Sequence, residues 1–288
     1  MNKALIRNTL PLITKRNWIR FGIRDRLVRL LDNPNSQPEC SFVVPFFGRE
    51  YSGQFNCFID WSVYYYGAYA LGELMMMRDQ LKDCPKPVVF DIGANIGHHS
   101  LYYSTIADVV HSFEPYGEVA DRLQEKIDRN KLNNVKLHRF GLGSENAKLS
   151  YFPPETCNTG TGSFALQSKS STANELTLEV RCGDGVAKDL SLDRLDFVKI
   201  DVEGFEKEVL KGLKQTLNQY RPKVFVEWNE AGSQISDFAR YFPEGYSFWS
   251  FHSYPDFLKA FGQGTYRLRP VLPNSKLSEG NYFAAPQP

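Results

Sequence analysis

The segment from Pro87 to Gly97, with the sequence PVVFDIGANIG, constrains the fold of this chain more than any other segment. An apolar, strand-forming run ends at Asp91 and Ile92, and Gly93 and Gly97 then enclose a short turn. Glycine adopts positive φ without a Cβ penalty and lets the backbone approach a ligand closely. Residues 98–107 contain neither glycine nor proline and predict a helix. A strand, a glycine turn and a helix in this order are typical of a nucleotide-binding crevice.

The composition of the turn favours a ligand without a pyrophosphate. A dinucleotide site needs the pattern G-x-G-x-x-G, with the pyrophosphate on the helix N-terminus. Here Asn95 replaces the middle glycine, and Asp91 at the strand end would repel a phosphate. The pattern D-x-G-x-x-x-G suits a ligand with a cationic or zwitterionic end, such as S-adenosylmethionine. We therefore expect this cofactor to be bound by Asp91, Gly93, Ala94, Asn95 and Gly97.

A second acid supports nucleoside binding. Residues 109–114 predict the next strand, which ends at Glu114 and is followed by Pro115. In a doubly wound sheet, an acid about 20 residues after the glycine turn lies beside the ribose and accepts hydrogen bonds from its hydroxyls. Two glycines alone would also suit an ordinary tight turn, but together with both acids they favour a binding site, with Glu114 and Pro115 as further cofactor-binding residues.

Three blocks of this sequence resemble the FkbM family of S-adenosylmethionine-dependent methyltransferases. In the family's order they are FDIGANIG at 90–97, SFEP at 112–115 and VKIDVEGFE at 198–206. The third block is the most specific, because the first two occur across many methyltransferases. The resemblance implies an α/β, Rossmann-like class I methyltransferase fold with a doubly wound, mostly parallel, seven-stranded sheet. It also implies methylation of oxygen in sugars, polyketides or other secondary metabolites.

Strands and helices alternate after residue 84, which predicts a parallel sheet with right-handed crossovers. We predict a methyltransferase domain over 84–288 and an N-terminal helical and β-hairpin extension over 1–83. The predicted strands are 88–92, 109–114, 135–140, 195–200, 223–227, 246–252 and 281–284, the last two including an antiparallel edge. The predicted helices of this domain are 98–107, 116–131 and 203–220. Residues 141–194 form a long insertion, for which we predict a hairpin and a flexible loop able to cover the substrate.

The extension is predicted to contain helices over 1–31 with a break near Pro11, a hairpin of strands 42–47 and 55–59, and a helix over 64–83. Residues 1–31 interleave apolar side chains with eight basic residues and a single acid, Asp25. Such a helix either makes peripheral contact with an anionic membrane or packs on the protein or on a homodimer partner with its basic face in water. We favour packing.

Three acids are predicted to be catalytic. A sugar hydroxyl has a very high pKa, so its methylation requires a general base or a metal in addition to in-line alignment. Asp201 follows the fourth predicted strand, Glu203 begins the helix after it, and Glu227 ends the fifth strand. Stabilisation of the helix N-terminus is the alternative role for Glu203. Their oxygens would suit Mg²⁺, but the spacing does not demand an ion, and no metal site is predicted.

Further candidates surround the expected cofactor. The adenine should lie at the end of the third predicted strand, where we expect Gly141 and Leu142 to bind it through backbone groups. His98 or His99 would serve as a base. In the alternative, one of these histidines contacts the cofactor through its backbone N–H and the other faces solvent. Glu206 is interpreted as a surface acid.

Composition narrows the class of protein. The formal charge of +1 argues against binding to nucleic acid. Five widely spaced cysteines suggest neither a disulfide framework nor a zinc site, and no secretory signal is recognised, so we predict a cytoplasmic protein. The expected partner is a small-molecule or glycan acceptor. Two other functions remain open: a non-catalytic nucleoside-binding module, and a nicotinamide oxidoreductase, against which Asn95 and Asp91 argue.

Overall fold

The structure is a computed structural model that describes residues 3–15, 20–36, 39–151, 153, 176–254 and 265–287. The first elements are α1 (Lys3–Thr14), α2 (Phe21–Leu31), β1 (Ser41–Phe46), β2 (Arg49–Gln54), α3 (Phe58–Tyr66) and α4 (Leu71–Leu81). The next are β3 (Val88–Ile92), α5 (His98–Tyr103), β4 (Val109–Phe113), α6 (Gly117–Arg129), β5 (Val135–His138), β6 (Gly141–Gly143), β7 (Ala147–Tyr151), β8 (Leu176–Cys182) and α7 (Gly183–Asp189). The last are β9 (Phe197–Ile200), α8 (Glu206–Gly212), α9 (Lys214–Tyr220), β10 (Lys223–Trp228), α10 (Ile235–Ala239), β11 (Tyr246–Ser253), β12 (Tyr266–Pro270) and β13 (Gly280–Pro286).

Within the described ranges the chain divides into two compact units. The first contains Met1–Met77 and His252–Arg267, and the second contains most of the remaining chain. The division into an extension and a catalytic domain at residues 83 and 84 remains a proposal. None of the described helices is long and apolar enough to cross a bilayer.

A mixed sheet dominates the second unit. Its strand order is β12-β11-β13-β10-β9-β3-β4-β5, so the described residues form eight strands. The five strands from β10 to β5 in this order are parallel, whereas β13 is antiparallel to both β10 and β11. The seven predicted strands are all present, and β12 is an eighth at the edge. The mixed α/β fold with a mostly parallel sheet confirms the predicted class.

The central strands are buried because their sequences are almost entirely apolar. All four residues of β9 and the last four of β3 are buried. Continuous apolar runs of this kind are typical of parallel strands covered on both faces. A core cluster on these strands and the helices around them includes Phe90, Val198, Leu210, Val226 and Trp228.

The first unit differs from the prediction in three places. The hairpin pairs β1 with β2 rather than with 55–59, because Phe47 and Gly48 both adopt positive φ and make a two-residue turn. The predicted helix over 64–83 is two helices, since Gly67 ends α3 in the left-handed region. Pro11 lies inside α1 without breaking it. The Tyr64 hydroxyl donates at 3.0 Å to the Arg7 carbonyl, which a proline nitrogen at position 11 leaves without its helical partner.

The second unit also departs from the predicted boundaries. The helix after β3 ends at Tyr103 rather than 107, where Asn134 Nδ2 donates to the carbonyls of Ser104 and Ala107. The predicted helix over 203–220 is two helices, α8 and α9, and it starts at Glu206. The third strand of the sheet ends at His138 instead of 140.

The insertion after β5 forms its own three-stranded sheet, in the order β6-β8-β7. Strands β7 and β8 are antiparallel, which confirms the predicted hairpin, and β6 adds a parallel third strand. The predicted loop around residues 156–163 lies outside the described residues.

Candidate functional site

The strand order of the sheet reverses between the neighbouring strands β3 and β9. From β3 the order runs through β4 to β5 on one side, and through β9 to β10 on the other. Ligands of open α/β sheets bind outside the carboxyl ends of the strands at such a switch point. The register pairs Asp91 with Lys199 and Ile92 with Ile200, so the residues that follow both strands meet at this edge.

The glycine turn is built for close backbone approach. Gly93 has a φ of +73°, and a Cβ on it would lie 1.8 Å from the carbonyl oxygen of Asp201. Gly97 has a φ of +82°, and its Cβ would lie 2.3 Å from Leu123 Cδ1. Only glycine fits both positions, because the conformation and the space each exclude a side chain. Between them, Ala94 is buried and Asn95 adopts a φ of +50°.

Glu114 fastens this turn to the end of β4. Its Oε2 accepts from the Asn95 backbone N–H at 2.9 Å, and its Oε1 accepts from the Tyr116 N–H at 3.0 Å. Burial raises its pKa to about 7, although the two backbone hydrogen bonds and the Lys199 charge oppose the rise. Each carboxylate oxygen has a second lone pair, so the side chain can still accept from a ligand.

Asp91 lies under the turn rather than on its surface. Its side chain is fully buried, Ser100 Oγ donates to Oδ2 at 2.5 Å, and Lys199 Nζ lies 3.4 Å from Oδ1. Among the described residues, Ser100 thus occupies Oδ2, whereas Oδ1 has the Lys199 charge nearby but no hydrogen-bond donor. The predicted contact of Asp91 with a cofactor is still a prediction.

Lys199 is a site residue that the sequence analysis missed. Its side chain is only 3% exposed, and Nζ donates to the Gly93 carbonyl at 2.8 Å. The same Nζ lies 3.2 Å from Asp201 Oδ2, so one ammonium joins Asp91, the glycine turn and Asp201. The available signal was a lysine inside an otherwise apolar central strand, since a buried charge requires a partner.

The three predicted acids converge. Asp201 and Glu203 lie in the loop after β9, and Glu227 lies in β10 next to it. One carboxylate oxygen from each lies within 4.8 Å of the other two. All three are partly buried, and they lie together at the switch point of the sheet.

The close approach of the three carboxyl groups determines their protonation states. Burial alone would raise the pKa of Asp201, but the Lys199 ammonium and a hydrogen bond with Glu227 hold it below its usual range. Burial and the Asp201 charge raise the pKa of Glu227 well above its usual range. Burial and the same charge raise the pKa of Glu203 to about 7. The cluster therefore holds an ionised Asp201, a protonated Glu227 and a Glu203 that titrates near neutrality.

The predictions that Glu203 begins a helix and that Glu206 is a surface acid are both wrong. Glu203 is not in a helix, because it precedes α8 by three residues and has a φ of +52°. Glu206 is not a surface acid, since it is 4% exposed and accepts from the Gly204 N–H at 2.7 Å. Burial raises its pKa. Glu203 therefore joins the acid cluster from the loop between β9 and α8, where its φ is positive.

The two histidines lie inside the protein. His98 is 3% exposed and His99 is 8% exposed, so the expectation that one faces solvent is wrong. Burial, together with the charges of His99 and nearby lysines, lowers the pKa of His98 well below its usual value. His99 lies close enough to Asp201 to lower the pKa of that carboxyl.

Gly141 and Leu142 are not at the end of the third sheet strand. They belong to β6, where they pair with Val180 and Arg181 of β8, and both are buried. Pro115 follows Glu114 and is partly buried. The roles of these residues in cofactor binding remain predictions.

The acid cluster also offers the ligand type that Mg²⁺ prefers. Three carboxylate oxygens at this separation can surround a hard cation, and such a cation would relieve the repulsion between them.

The sequence of this chain matches those of known proteins. A family model described as the methyltransferase FkbM domain matches residues 91–263, more than half of the chain. The hexuronic acid methyltransferase AglP of Haloferax volcanii is 35% identical over 147 residues, 51% of this chain and 58% of that protein. The 2-O-methyltransferase NoeI of Sinorhizobium fredii is 23% identical over 168 residues, 52% of this chain and 66% of that protein. These matches thus span about half of this chain and less than two thirds of each relative. The crystal structure of a methyltransferase FkbM from Methylobacillus flagellatus has a TM-score of 0.42 at 15% identity, covering 69% of this chain and 43% of that chain.

Proposed function

Because this chain belongs to the FkbM methyltransferase family, we propose that it transfers a methyl group from S-adenosylmethionine to a hydroxyl of a sugar or secondary metabolite. The observation that carries the proposal is the meeting of Asp201, Glu203 and Glu227 beside the glycine turn at the switch point of the sheet. A binding module has no need of three crowded acids at this place.

The residues around the turn fit the cofactor. A turn stripped of side chains at Gly93 and Gly97 lets a ligand reach the backbone, and Glu114 keeps a lone pair on each oxygen for the ribose hydroxyls. We propose that Asp91, Ala94, Asn95 and Pro115 complete this side of the site. For the adenine we propose the backbone of Gly141 and Leu142. The cofactor supplies an activated methyl carbon on a sulfonium.

The acid cluster binds the acceptor and takes up its proton. Methyl transfer to an acceptor oxygen would break the carbon–sulfur bond of the sulfonium, release the thioether, and require the hydroxyl proton to leave. Asp201, kept ionised by Lys199, accepts a hydrogen bond from a neighbouring hydroxyl of a sugar acceptor and so aligns the reacting hydroxyl. Glu203, whose pKa is about 7, removes the proton, since a base poised near the working pH is the most effective. Glu227 stays protonated and donates to Asp201.

The names of the relatives support a sugar acceptor. AglP is described as a hexuronic acid methyltransferase and NoeI as a 2-O-methyltransferase. We propose that this chain likewise acts on a glycan or related hydroxyl. A cytoplasmic location and the lack of a nucleic-acid partner also remain proposals, supported by the formal charge of +1 and the cysteine spacing.

Calorimetric titration tests the cofactor. S-adenosylmethionine and S-adenosylhomocysteine should bind, NAD should not, and Glu114→Gln should weaken binding by at least about tenfold, as expected for a lost buried hydrogen bond. Glu125→Gln, an exposed acid of α6, is the matched control and should bind normally. Binding of NAD alone would favour an oxidoreductase.

A second assay tests the chemistry and the metal. Methyl transfer to uronic-acid and neutral glycans is followed as S-adenosylhomocysteine release, before and after dialysis against EDTA. Activity that survives EDTA supports the proton transfer given above. Activity lost and then restored by Mg²⁺ would assign the three acids to a cation instead. Cofactor binding without transfer to any acceptor tested would favour the binding module.

A further inference from the structure

Helix α2 leaves an apolar stripe uncovered. It buries Arg24 and Val28 against its own unit, yet Ile23, Leu27 and Leu30 are 60%, 40% and 81% exposed. Their spacing of four and three residues places them on one face of the helix. A helix on the surface of a globular protein normally carries polar residues there.

Positive charge borders this stripe. One continuous surface depression is lined by the apolar stripe, Phe21 and two arginines, Arg20 and Arg26. Asp25 is the acid of this helix, and it is engaged by Arg29 Nε at 2.7 Å and the Tyr66 hydroxyl at 3.1 Å. The exposed face of α2 is therefore both apolar and cationic.

Exposed apolar side chains are concentrated in both α1 and α2. Among the described residues, seven of the ten exposed large apolar side chains lie in α1 and α2; besides the stripe they are Leu5, Leu12, Ile13 and Phe21. The scaffold below is fixed, since Asp32 accepts from Arg7 Nε at 3.0 Å and from the Tyr65 hydroxyl at 2.5 Å. These hydrogen bonds fix the segment that carries α2 to its own unit, with the apolar stripe on the exposed face of the helix.

We propose that this face of α2 docks on a membrane surface that carries anionic lipids, with the helix lying in the interface. Apolar residues beside arginines are the pattern that enters the boundary between headgroups and acyl chains, while the guanidinium groups meet lipid phosphates. A second copy of this chain is the poorer occupant, because residues 1–31 carry eight basic residues and one acid, and two such faces would repel. This inference does not depend on the proposed activity. Packing of α2, which the sequence analysis favoured, concerns the face of Arg24 and Val28, and the membrane contact proposed here concerns the exposed face.

Vesicle sedimentation with the full-length protein tests the proposal. The vesicles are phosphatidylcholine alone, or phosphatidylcholine and phosphatidylglycerol in equal parts. Binding is expected to the anionic vesicles, to weaken with added salt, and to fall about fivefold in Arg26→Gln, the effect of one basic charge near the surface. The double variant Leu27→Gln/Leu30→Gln should lose about tenfold per leucine removed.

Matched controls come from exposed residues elsewhere. Leu272→Gln removes a leucine that is 66% exposed, and Arg269→Gln removes an exposed arginine of β12; both should sediment like the wild type. Equal sedimentation of the wild type and the double-leucine variant would overturn the proposal. A wild-type dimer in light scattering that becomes a monomer in that variant, without vesicle binding by either, would overturn it in favour of self-association.

Discussion

Replacing Lys199 by methionine tests the electrostatic frame of the site. The ammonium is 3% exposed and lies 3.4 Å from Asp91 Oδ1, 3.2 Å from Asp201 Oδ2 and 2.8 Å from the Gly93 carbonyl oxygen. Methionine keeps most of the volume but removes the charge. Asp91 would then be a fully buried carboxylate without a counter-charge. Breaking a buried ion pair in this way costs about 3–5 kcal/mol, and we expect Lys199→Met to lose that much free energy of unfolding.

The assay is urea unfolding, with linear extrapolation to water. Lys223→Met is the matched control, because Lys223 lies in the neighbouring strand β10 and its Nζ donates to the Gln80 carbonyl at 2.7 Å. Its loss removes one hydrogen bond and should cost only about 1 kcal/mol.

Asp91→Asn completes a double-mutant cycle. Once Asp91 is neutral, the loss of Lys199 no longer strands a buried charge there, so the double variant should be at least about 1 kcal/mol more stable than the sum of the single effects predicts. A Lys199→Met cost no larger than that of the control, or strictly additive effects in the cycle, would refute the reasoning.

Three further predictions concern the turn and the acids. Asp201→Asn should lower kcat by about 10²-fold because the acceptor is no longer aligned, while the unfolding midpoint stays near that of the wild type; near-normal release of S-adenosylhomocysteine would refute its role. Gly93→Ala should cost more than about 1 kcal/mol, because the new Cβ meets the Asp201 carbonyl at 1.8 Å with φ at +73°. Gly117→Ala, which opens into free space at the start of α6, should change stability by less than about 1 kcal/mol in the same denaturation assay. Burial and the Asp201 charge raise the pKa of Glu203 from 4.5 to about 7 in the folded protein. Between these pH values the native state holds a proton that the unfolded chain releases. The free energy of unfolding of the wild type should therefore fall, relative to that of Glu203→Gln, as the pH rises from 4.5 to 7. Solvent screening limits the difference to about 1 kcal/mol, and a difference in melting temperature that is constant across this pH range would contradict the assignment.

The positions of the candidate site residues at the ends of strands could be predicted because they are encoded locally. Each of Gly93, Glu114 and Asp201 follows a strand whose apolar run is visible in the sequence, and parallel strands bring their carboxyl ends to one edge. Element boundaries were less accurate where a distant group terminates or continues a helix. Tyr64 supports α1 past Pro11, and Asn134 satisfies the carbonyls at the end of α5.

The sequence by itself determined the α/β class, the order of the central strands and helices along the chain, and the three blocks that carry the family resemblance. Those features depend on hydrophobic period and on short turns, which the chain specifies residue by residue. Only the tertiary structure showed that Lys199 lies between Asp91 and Asp201, and that a carboxylate oxygen of Glu203 lies close to one of Glu227. It likewise decided which face of α2 is buried, because the neighbours that bury a face are distant in the chain. The apolar pattern of a strand indicates that it is buried, but the partners of a buried charge lie on separate strands and helices, so only the tertiary structure identifies them.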